Sequence, residues 1–225
     1  MSEARKQILA TIRHGLQRGP LAGEPRATLE MRLAHPPRHL IPARAQGPHS
    51  EQVALFINMA EYALATVDQV ARLNDAPAAV AAFLEREHLP TEVVMAPDAA
   101  LAALPWVDQP ALRIDRRTAR GGDKVSITAA FAGIAETGTL LLRSGPEWPS
   151  TLNFLPDTHI VLLPAARIVG SYEDGWDLLR ATSEAMPRTI NYITGPSRSG
   201  DIEQTMQLGA HGPLRLHIIL VVAAD

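Results

Sequence analysis

Residues 216–222 read Leu-His-Ile-Ile-Leu-Val-Val, a run in which nearly every side chain is apolar. A strand with one face in water alternates apolar and polar residues, whereas a strand covered on both faces is apolar almost throughout. The stretch therefore predicts a strand inside a sheet that has helices on each face.

Upstream of this strand, from about residue 92, short apolar runs alternate with turn residues and short helical patterns. The further predicted strands are Glu92–Met95, Ala111–Ile114, Val125–Thr128, Thr139–Arg143, His159–Leu163 and Thr189–Thr194. Predicted helices between them are Tyr172–Ala185 and Asp201–Leu208. This alternation is typical of an α/β fold with a mainly parallel sheet flanked by helices.

Helical patterns dominate the N-terminal part of the chain. Glu3–Leu16 carries an apolar stripe, with Ser2 as its cap and a Gly-Pro pair at 19–20 after it. Residues 21–49 contain five prolines, and their apolar residues follow no sustained helical or strand periodicity, which indicates a linker or an extended arm.

Two more helices are predicted before the first strand. One begins at a Ser50 cap and keeps the helical period through Val70, and the next places Pro77 in its first turn and ends at residues 88–90. We therefore expect an arm over residues 1–49 and a single α/β domain over residues 50–225.

Composition excludes several kinds of protein. The chain has 225 residues and no cysteine, so disulfides, thiol nucleophiles and cysteine-ligated iron-sulfur clusters are excluded on it. A net charge of -3 argues against general nucleic-acid binding. Because no signal-like apolar segment follows the N-terminus and the longest apolar run is short, we expect a cytoplasmic protein without membrane insertion.

Charge is distributed unevenly along the chain. Residues 1–50 carry eight basic and three acidic side chains, whereas residues 51–112 carry two and nine. This pattern fits a docking arm for an acidic partner, or two solvated faces that attract each other.

The first unusual motif is Gly-Ile-Ala-Glu-Thr-Gly-Thr at 133–139, directly before an apolar run. Packing alone does not explain a carboxylate in such a turn. Gly138 allows a positive φ, and the hydroxyls of Thr137 and Thr139 are available to Glu136 or to a ligand. The alternative is that Glu136 accepts backbone N–H bonds and simply caps the turn.

The second motif is Thr-Gly-Pro-Ser-Arg-Ser-Gly-Asp at 194–201, between a predicted strand and a predicted helix. It offers hydroxyls, one arginine and backbone N–H groups to an anion. It lacks both G-K-[ST] and G-x-G-x-x-G, so it implies neither a nucleoside triphosphate nor a dinucleotide. A plain helix start is the competing interpretation, because Asp201 and Glu203 already supply negative charge there.

His211 lies in Gly-Ala-His-Gly-Pro at 209–213, a sequence that favours exposure to solvent or to a ligand. The histidines of the chain do not follow a compact metal-ligand spacing, and we expect no metal site. A serine hydrolase is disfavoured because the G-x-S-x-G elbow is missing.

Five motifs occur in a fixed order along the chain. They are G-I-A-E-T-G-T-L at 133–140, S-G-P at 144–146, L-P-D-T-H-I-V at 155–161, G-P-S-R-S-G-D-I-E at 195–203 and G-A-H-G-P at 209–213. Together they resemble the LUD-domain family, and within it the lactate-utilisation protein C branch. The resemblance is close over residues 120–222 and loose over the helical N-terminal half.

This resemblance implies a Rossmann-like domain similar to the NagB/RpiA/CoA-transferase fold. It also implies a place in a cytoplasmic three-protein system that oxidises L-lactate to pyruvate, in which two companion proteins carry the iron-sulfur clusters. Many relatives have a smaller, more basic segment where this chain has Glu147–Thr151, so the rim of a site there is expected to differ. By fold analogy, Glu136 is a nucleophile or a general base.

The resulting hypothesis is a pocket that binds a small carboxylate or another anion. The predicted catalytic residues are Glu136 and His211, and the predicted ligand-binding residues are Thr137, Gly138, Thr139, Gly195, Ser197, Arg198, Ser199 and Gly200. Whether the chain is itself an enzyme, and which cofactor it uses, stay open. The rival hypotheses are a non-catalytic module that organises the iron-sulfur subunits, and a stand-alone enzyme that handles acyl-CoA or sugar phosphates.

Overall fold

The structure is a computed structural model that describes residues 2–17, 19–182, 186–199 and 207–222. It divides the chain into two compact units, Met1–Leu40 and Ile41–Asp225.

The described residues of the first unit form two helices, α1 (Glu3–Gly15) and α2 (Gly23–Ala34). The Ser2 hydroxyl accepts the amide of Arg5 and caps α1 as predicted. The expectation of an extended arm over 21–49 is wrong for α2. Pro25 is compatible with this helix because it lies in the first turn, where backbone N–H groups have no partner within the helix.

The second unit is an α/β fold, as predicted. Its helices are α3 (His49–Tyr62), α4 (Ala76–Arg86), α5 (Ala99–Ala102), α6 (Thr151–Phe154) and α7 (Tyr172–Thr182). Its strands are β1 (Thr66–Val70), β2 (Glu92–Met95), β3 (Arg113–Arg116), β4 (Val125–Ala129), β5 (Ala132–Ile134), β6 (Thr139–Arg143), β7 (Thr158–Pro164), β8 (Ile168–Val169), β9 (Ile190–Ile193), β10 (Arg198–Ser199), β11 (Gln207–Leu208) and β12 (Arg215–Val221).

Six strands form the main sheet in the order β1-β12-β7-β4-β2-β3, and all its neighbouring pairs are parallel. β12 lies inside this sheet, and its residues from Leu216 to Val221 are buried. Leu216, Ile218 and Leu220 belong to the core on the side of α3, whereas Ile219 belongs to the core on the side of α4. The prediction that this strand is covered on both faces is confirmed.

A second sheet has the order β8-β5-β6-β9. In it β6 is antiparallel to both β5 and β9. The predicted strands at 139–143 and 189–194 are thus present but belong to this smaller sheet. Only four residues connect β5 to β6, which is enough for an antiparallel turn but too few for the crossover that a parallel pair needs.

Two helix predictions are corrected by the structure. The helix expected through Val70 ends at Tyr62, and Leu64 then adopts a φ of 70° that is incompatible with a continuing helix. The edge strand β1 follows. Of the helix predicted at 201–208, residues 201–206 lie outside the described residues, and Gln207–Leu208 is instead a strand paired with β10.

The other helix predictions hold. α4 begins at Ala76 with Pro77 in its first turn, and α7 begins at the predicted Tyr172. Of the predicted end of α7, residues 183–185 lie outside the described residues.

Two glycines bring helix α3 against the second sheet. Gly138 has a φ of 64° and Gly195 a φ of 72°, and both lie directly against the C-terminal turn of α3. A Cβ on Gly138 would overlap the backbone of Met59 and Ala60, and one on Gly195 would overlap the carbonyl oxygen of Ala63. The two glycines therefore serve helix packing.

Gly138→Ala and Gly195→Ala are each expected to lower the free energy of unfolding by about 3 kcal/mol or more, because backbone strain and overlap add. Gly122→Ala is the matched control, since Gly122 has a φ of 97° with nothing within 4 Å of the added Cβ. It should cost about 1 to 2 kcal/mol. Urea unfolding measures all three, and equal losses would contradict the packing role.

Two buried histidines lie in the main sheet. His159 bonds to Thr128 (Nε2 to Oγ1, 2.7 Å), and burial lowers its pKa to about 3. His217 stacks on Phe83 with centroids 3.7 Å apart, and its Nδ1 lies 2.8 Å from the Thr66 hydroxyl. Burial lowers the pKa of His217 to about 4, against the opposing effect of Asp68.

Both pKa values lie below the ordinary 6.5. As the pH falls from 7 towards 4, the unfolded chain therefore binds more protons than the folded chain does. The free energy of unfolding should therefore fall by about 1.4 kcal/mol per pH unit for each such proton. His217→Gln should reduce this slope by about 1.4 kcal/mol per pH unit, the contribution of one proton, whereas the exposed Thr118→Val removes no titratable group and should leave it unchanged. An unaltered slope in His217→Gln would contradict the lowered pKa of His217.

Candidate functional site

The Glu136 carboxylate is buried, with 7% of the residue exposed. Its Oε1 accepts the amide of Tyr172 at 3.0 Å, and the Glu136 amide donates to the Gly170 carbonyl oxygen at 3.0 Å. The positive end of the helix dipole also stabilises a carboxylate at the first turn of α7. Glu136 therefore caps α7, the alternative role that the sequence left open.

Four hydroxyl groups meet beside this turn. Thr139 lies at their centre, with its Oγ1 2.6 Å from that of Thr194, 2.7 Å from that of Thr137 and 3.0 Å from the Tyr172 hydroxyl. Thr137 also bonds to Tyr172, at 3.0 Å. The cluster ties the turn, the start of α7 and the end of β9 together.

A cleft of about 260 Å³ lies next to this hydroxyl cluster. Its lining residues are Asn153, Phe154, Tyr192, Ile193, Thr194, Gly195, Ser197, Arg198, His211, Gly212 and Pro213. The cleft combines apolar and aromatic walls with one arginine, one histidine and several hydroxyls. Such a mixture suits a small polar ligand that has an apolar part.

Ser197 anchors the loop that carries His211. Its amide donates to Pro213, its carbonyl oxygen accepts from Gly209, and its hydroxyl accepts the His211 amide at 3.2 Å. These three bonds hold segment 209–213 against the start of β10. Arg198 and His211 are both exposed at the cleft.

The structure brings part of the predicted site together. Gly195, Ser197, Arg198 and His211 line the cleft. Residues 136–139 do not line it, although the bond from Thr139 to Thr194 joins them to its wall. Ser199 pairs with Gln207 in the β10–β11 ladder, and Gly200 lies outside the described residues.

Sequence analysis did not single out Tyr172 or Thr194 as members of the site. Both are polar residues at the ends of predicted elements, Tyr172 at the start of a helix and Thr194 at the end of a strand. Their position at the ends of predicted elements was the sequence feature that could have indicated them as site residues. The pairing of β6 with β9, which brings Thr194 to Thr139, is not visible in a single sequence.

Within the described residues, no group of three His, Cys, Asp or Glu side chains is placed to hold a metal ion. Over the same part of the chain, no helix is both long enough and apolar enough to cross a membrane.

Residues 53–221 match the sequence model of the LUD domain. This match covers most of the chain and every strand from β1 to β12. The chain belongs to the LUD domain family.

Curated relatives are similar over shorter segments. Lactate utilization protein C of Bacillus subtilis is 39% identical over 100 residues, which are 43% of this chain and 42% of that protein. An uncharacterized protein of Neisseria meningitidis is 37% identical over 98 residues, or 44% and 42% of the two chains. Lactate utilization protein C of Bacillus velezensis is 33% identical over 129 residues, or 56% and 52%. The match thus spans about half or less of the length of these relatives.

One solved structure has a similar fold. The crystal structure of a DUF162 family protein from Deinococcus radiodurans aligns with a TM-score of 0.57 at 21% identity. The alignment covers 78% of this chain and 99% of that one. It supports the α/β architecture described above.

Thr139→Val is expected to destabilise the protein by about 1 to 3 kcal/mol, since a methyl in place of this buried hydroxyl leaves its three hydroxyl partners without their bond. The exposed Thr118→Val should stay within about 0.5 kcal/mol of the parent. Thermal or urea unfolding compares the two. If Thr139→Val were as stable as Thr118→Val, the hydroxyl cluster would not hold the turn.

Proposed function

We propose that this chain is the cysteine-free subunit of a lactate-utilisation system that oxidises L-lactate to pyruvate. Two kinds of observation support the proposal. The chain belongs to the LUD domain family, and several relatives that it partly matches are named lactate utilization protein C. It has no cysteine, so it holds no cysteine-ligated iron-sulfur cluster itself, and in this proposal such clusters belong to two companion proteins.

The observation that carries the site assignment is the meeting of Arg198 and His211 at one cleft beside the hydroxyl cluster. A guanidinium group holds a carboxylate through two parallel charge-assisted bonds. An imidazole exchanges protons near neutral pH. In this proposal Arg198 binds the carboxylate of the substrate, and His211 takes up the proton of its hydroxyl group. The C2 hydrogen leaves as a second proton, and the two electrons pass to the iron-sulfur clusters of the companion proteins, which are the oxidant.

Glu136 has a supporting role in this proposal. Its carboxylate already accepts the Tyr172 amide and does not line the cleft. It orients Tyr172, whose hydroxyl belongs to the cluster that contacts the cleft wall through Thr194. Glu136→Gln keeps an acceptor oxygen for that amide, so it should preserve folding and most activity.

The test is L-lactate-dependent dye reduction by this chain mixed anaerobically with its two companions. Activity should require the chain. Arg198→Met and His211→Gln should each lower it by about 100-fold, the size typical of a lost charged contact or acid–base group. The matched control is Arg116→Met, an exposed arginine of β3 away from the cleft.

Full activity without the chain would contradict the proposal. A mixture that stays inert towards lactate would instead favour the stand-alone alternative, to be screened with CoA esters and sugar phosphates.

A second candidate function is assembly of the companions without chemistry. Neither α1 nor α2 buries a residue, and Ile8 and Ile12 are 60% and 50% exposed. Helices with an uncovered apolar stripe suit a protein partner. This candidate gains support if the chain is required for activity while Arg198→Met and His211→Gln remain fully active.

A further inference from the structure

A second cavity opens at the carboxyl ends of the parallel strands. It is lined by residues that follow four of them: Leu73 after β1, Asp98 after β2, Phe131 after β4 and Arg167 after β7. Open α/β sheets bind ligands at this edge. The cavity measures about 260 Å³, below the range of pockets for drug-sized ligands, so it suits a small molecule.

Two arginines enter this cavity over aromatic rings. The Arg143 guanidinium lies 3.7 Å from the Trp148 ring centroid and 5.2 Å from that of Phe131. The Arg167 guanidinium lies 4.6 Å from the same Phe131 ring, and its Nε donates to the Phe131 carbonyl oxygen at 3.0 Å. Ring contacts and one backbone bond thus hold two half-buried positive charges in place.

Within the described part of the chain, neither arginine has a carboxylate oxygen within 4.0 Å. The acidic residue of the lining, Asp98, is already engaged by Trp148 Nε1 at 2.6 Å and by the Ala100 amide at 2.8 Å. Arg117, also half-buried, shows the contrast, since Asp123 accepts two bonds of 2.8 Å from it.

The two charges also repel each other. Burial, and after it the charge of Arg143, lowers the pKa of Arg167. A pair of partly desolvated guanidinium groups without a carboxylate is stabilised when an anion binds between them. The same groups do not stabilise a neutral ligand in this way.

The remaining walls are mostly apolar. They are formed by Leu73, Ala100, Leu101, Leu104, Ala129, Ala130, Leu162 and Pro164. An inorganic ion would leave these walls uncovered, whereas a carboxylate with an apolar body would cover them.

We propose that this cavity binds a short organic carboxylate with an apolar body, held by Arg143 and Arg167 and covered by Trp148 and Phe131. The site is separate from the cleft of Arg198 and His211, and the proposal does not rest on the lactate function.

Isothermal titration calorimetry of the full chain tests the site, with 4-methylpentanoate as probe and 4-methylpentanamide as its neutral counterpart. The carboxylate should bind saturably, and the amide should bind at least tenfold more weakly. Arg143→Met and Arg167→Gln should each weaken carboxylate binding by about tenfold or more. The side chain of Arg143 makes no hydrogen bond within the described residues, so its variant is expected to fold even if Arg167→Gln does not.

One control separates this site from other basic surfaces. Arg180→Met removes an arginine that also lies over a tryptophan, Trp176, at 5.5 Å, but outside the cavity. It should bind the probe like the parent protein. Equal binding of the amide, or an affinity unchanged in Arg143→Met, would overturn the proposal, as would inorganic phosphate binding as tightly as 4-methylpentanoate.

Discussion

The contact between helix α3 and two glycines determines how the second sheet is placed on the first. Gly138 precedes β6 and Gly195 follows β9, and both lie against the last turn of α3 with no room for a side chain. The residues next to these glycines are Thr139 and Thr194, whose hydroxyls lie 2.6 Å apart. A packing requirement of one helix thus sets the distance between two polar groups that border the cleft.

The apolar faces of the main sheet explain why two polar regions form in this domain. The main sheet buries apolar side chains on both faces, so polar groups collect where strands end. At one such end Arg198 and His211 line a cleft beside the hydroxyl cluster. At another, Arg143 and Arg167 lie over Phe131, which follows β4 and is itself part of the core between β5 and α7.

Elements buried on both faces were the most predictable from sequence. β12 and β7 were recognised because burial makes their sequence nearly uniform, and α4 because Pro77 marks its first turn. The edge strand β1 was missed because Leu64 and Val67 continue the helical period of α3, although the φ of Leu64 ends the helix. α2 was missed because prolines flank and enter it, even though Pro25 fits the first turn.

The site was predictable in composition and less so in arrangement. Motif spacing brought Ser197, Arg198 and His211 to attention, and they line one cleft. It did not show that Glu136 faces the start of α7, since that contact depends on how α7 packs on the second sheet. Arg143 is at the end of a recognised strand, but its partner Arg167 is 24 positions away by number and meets it only through the ring of Phe131.

The pairing of β1 with β12 covers one side of a strand that is apolar on both faces. The stack of His217 on Phe83 and its bond to Thr66 lie along this outer pair of strands and help to hold them together. Without β1, β12 would be an open sheet edge, and such an edge pairs readily with strands of other molecules. The short and partly exposed β1 therefore protects the chain from association through β12.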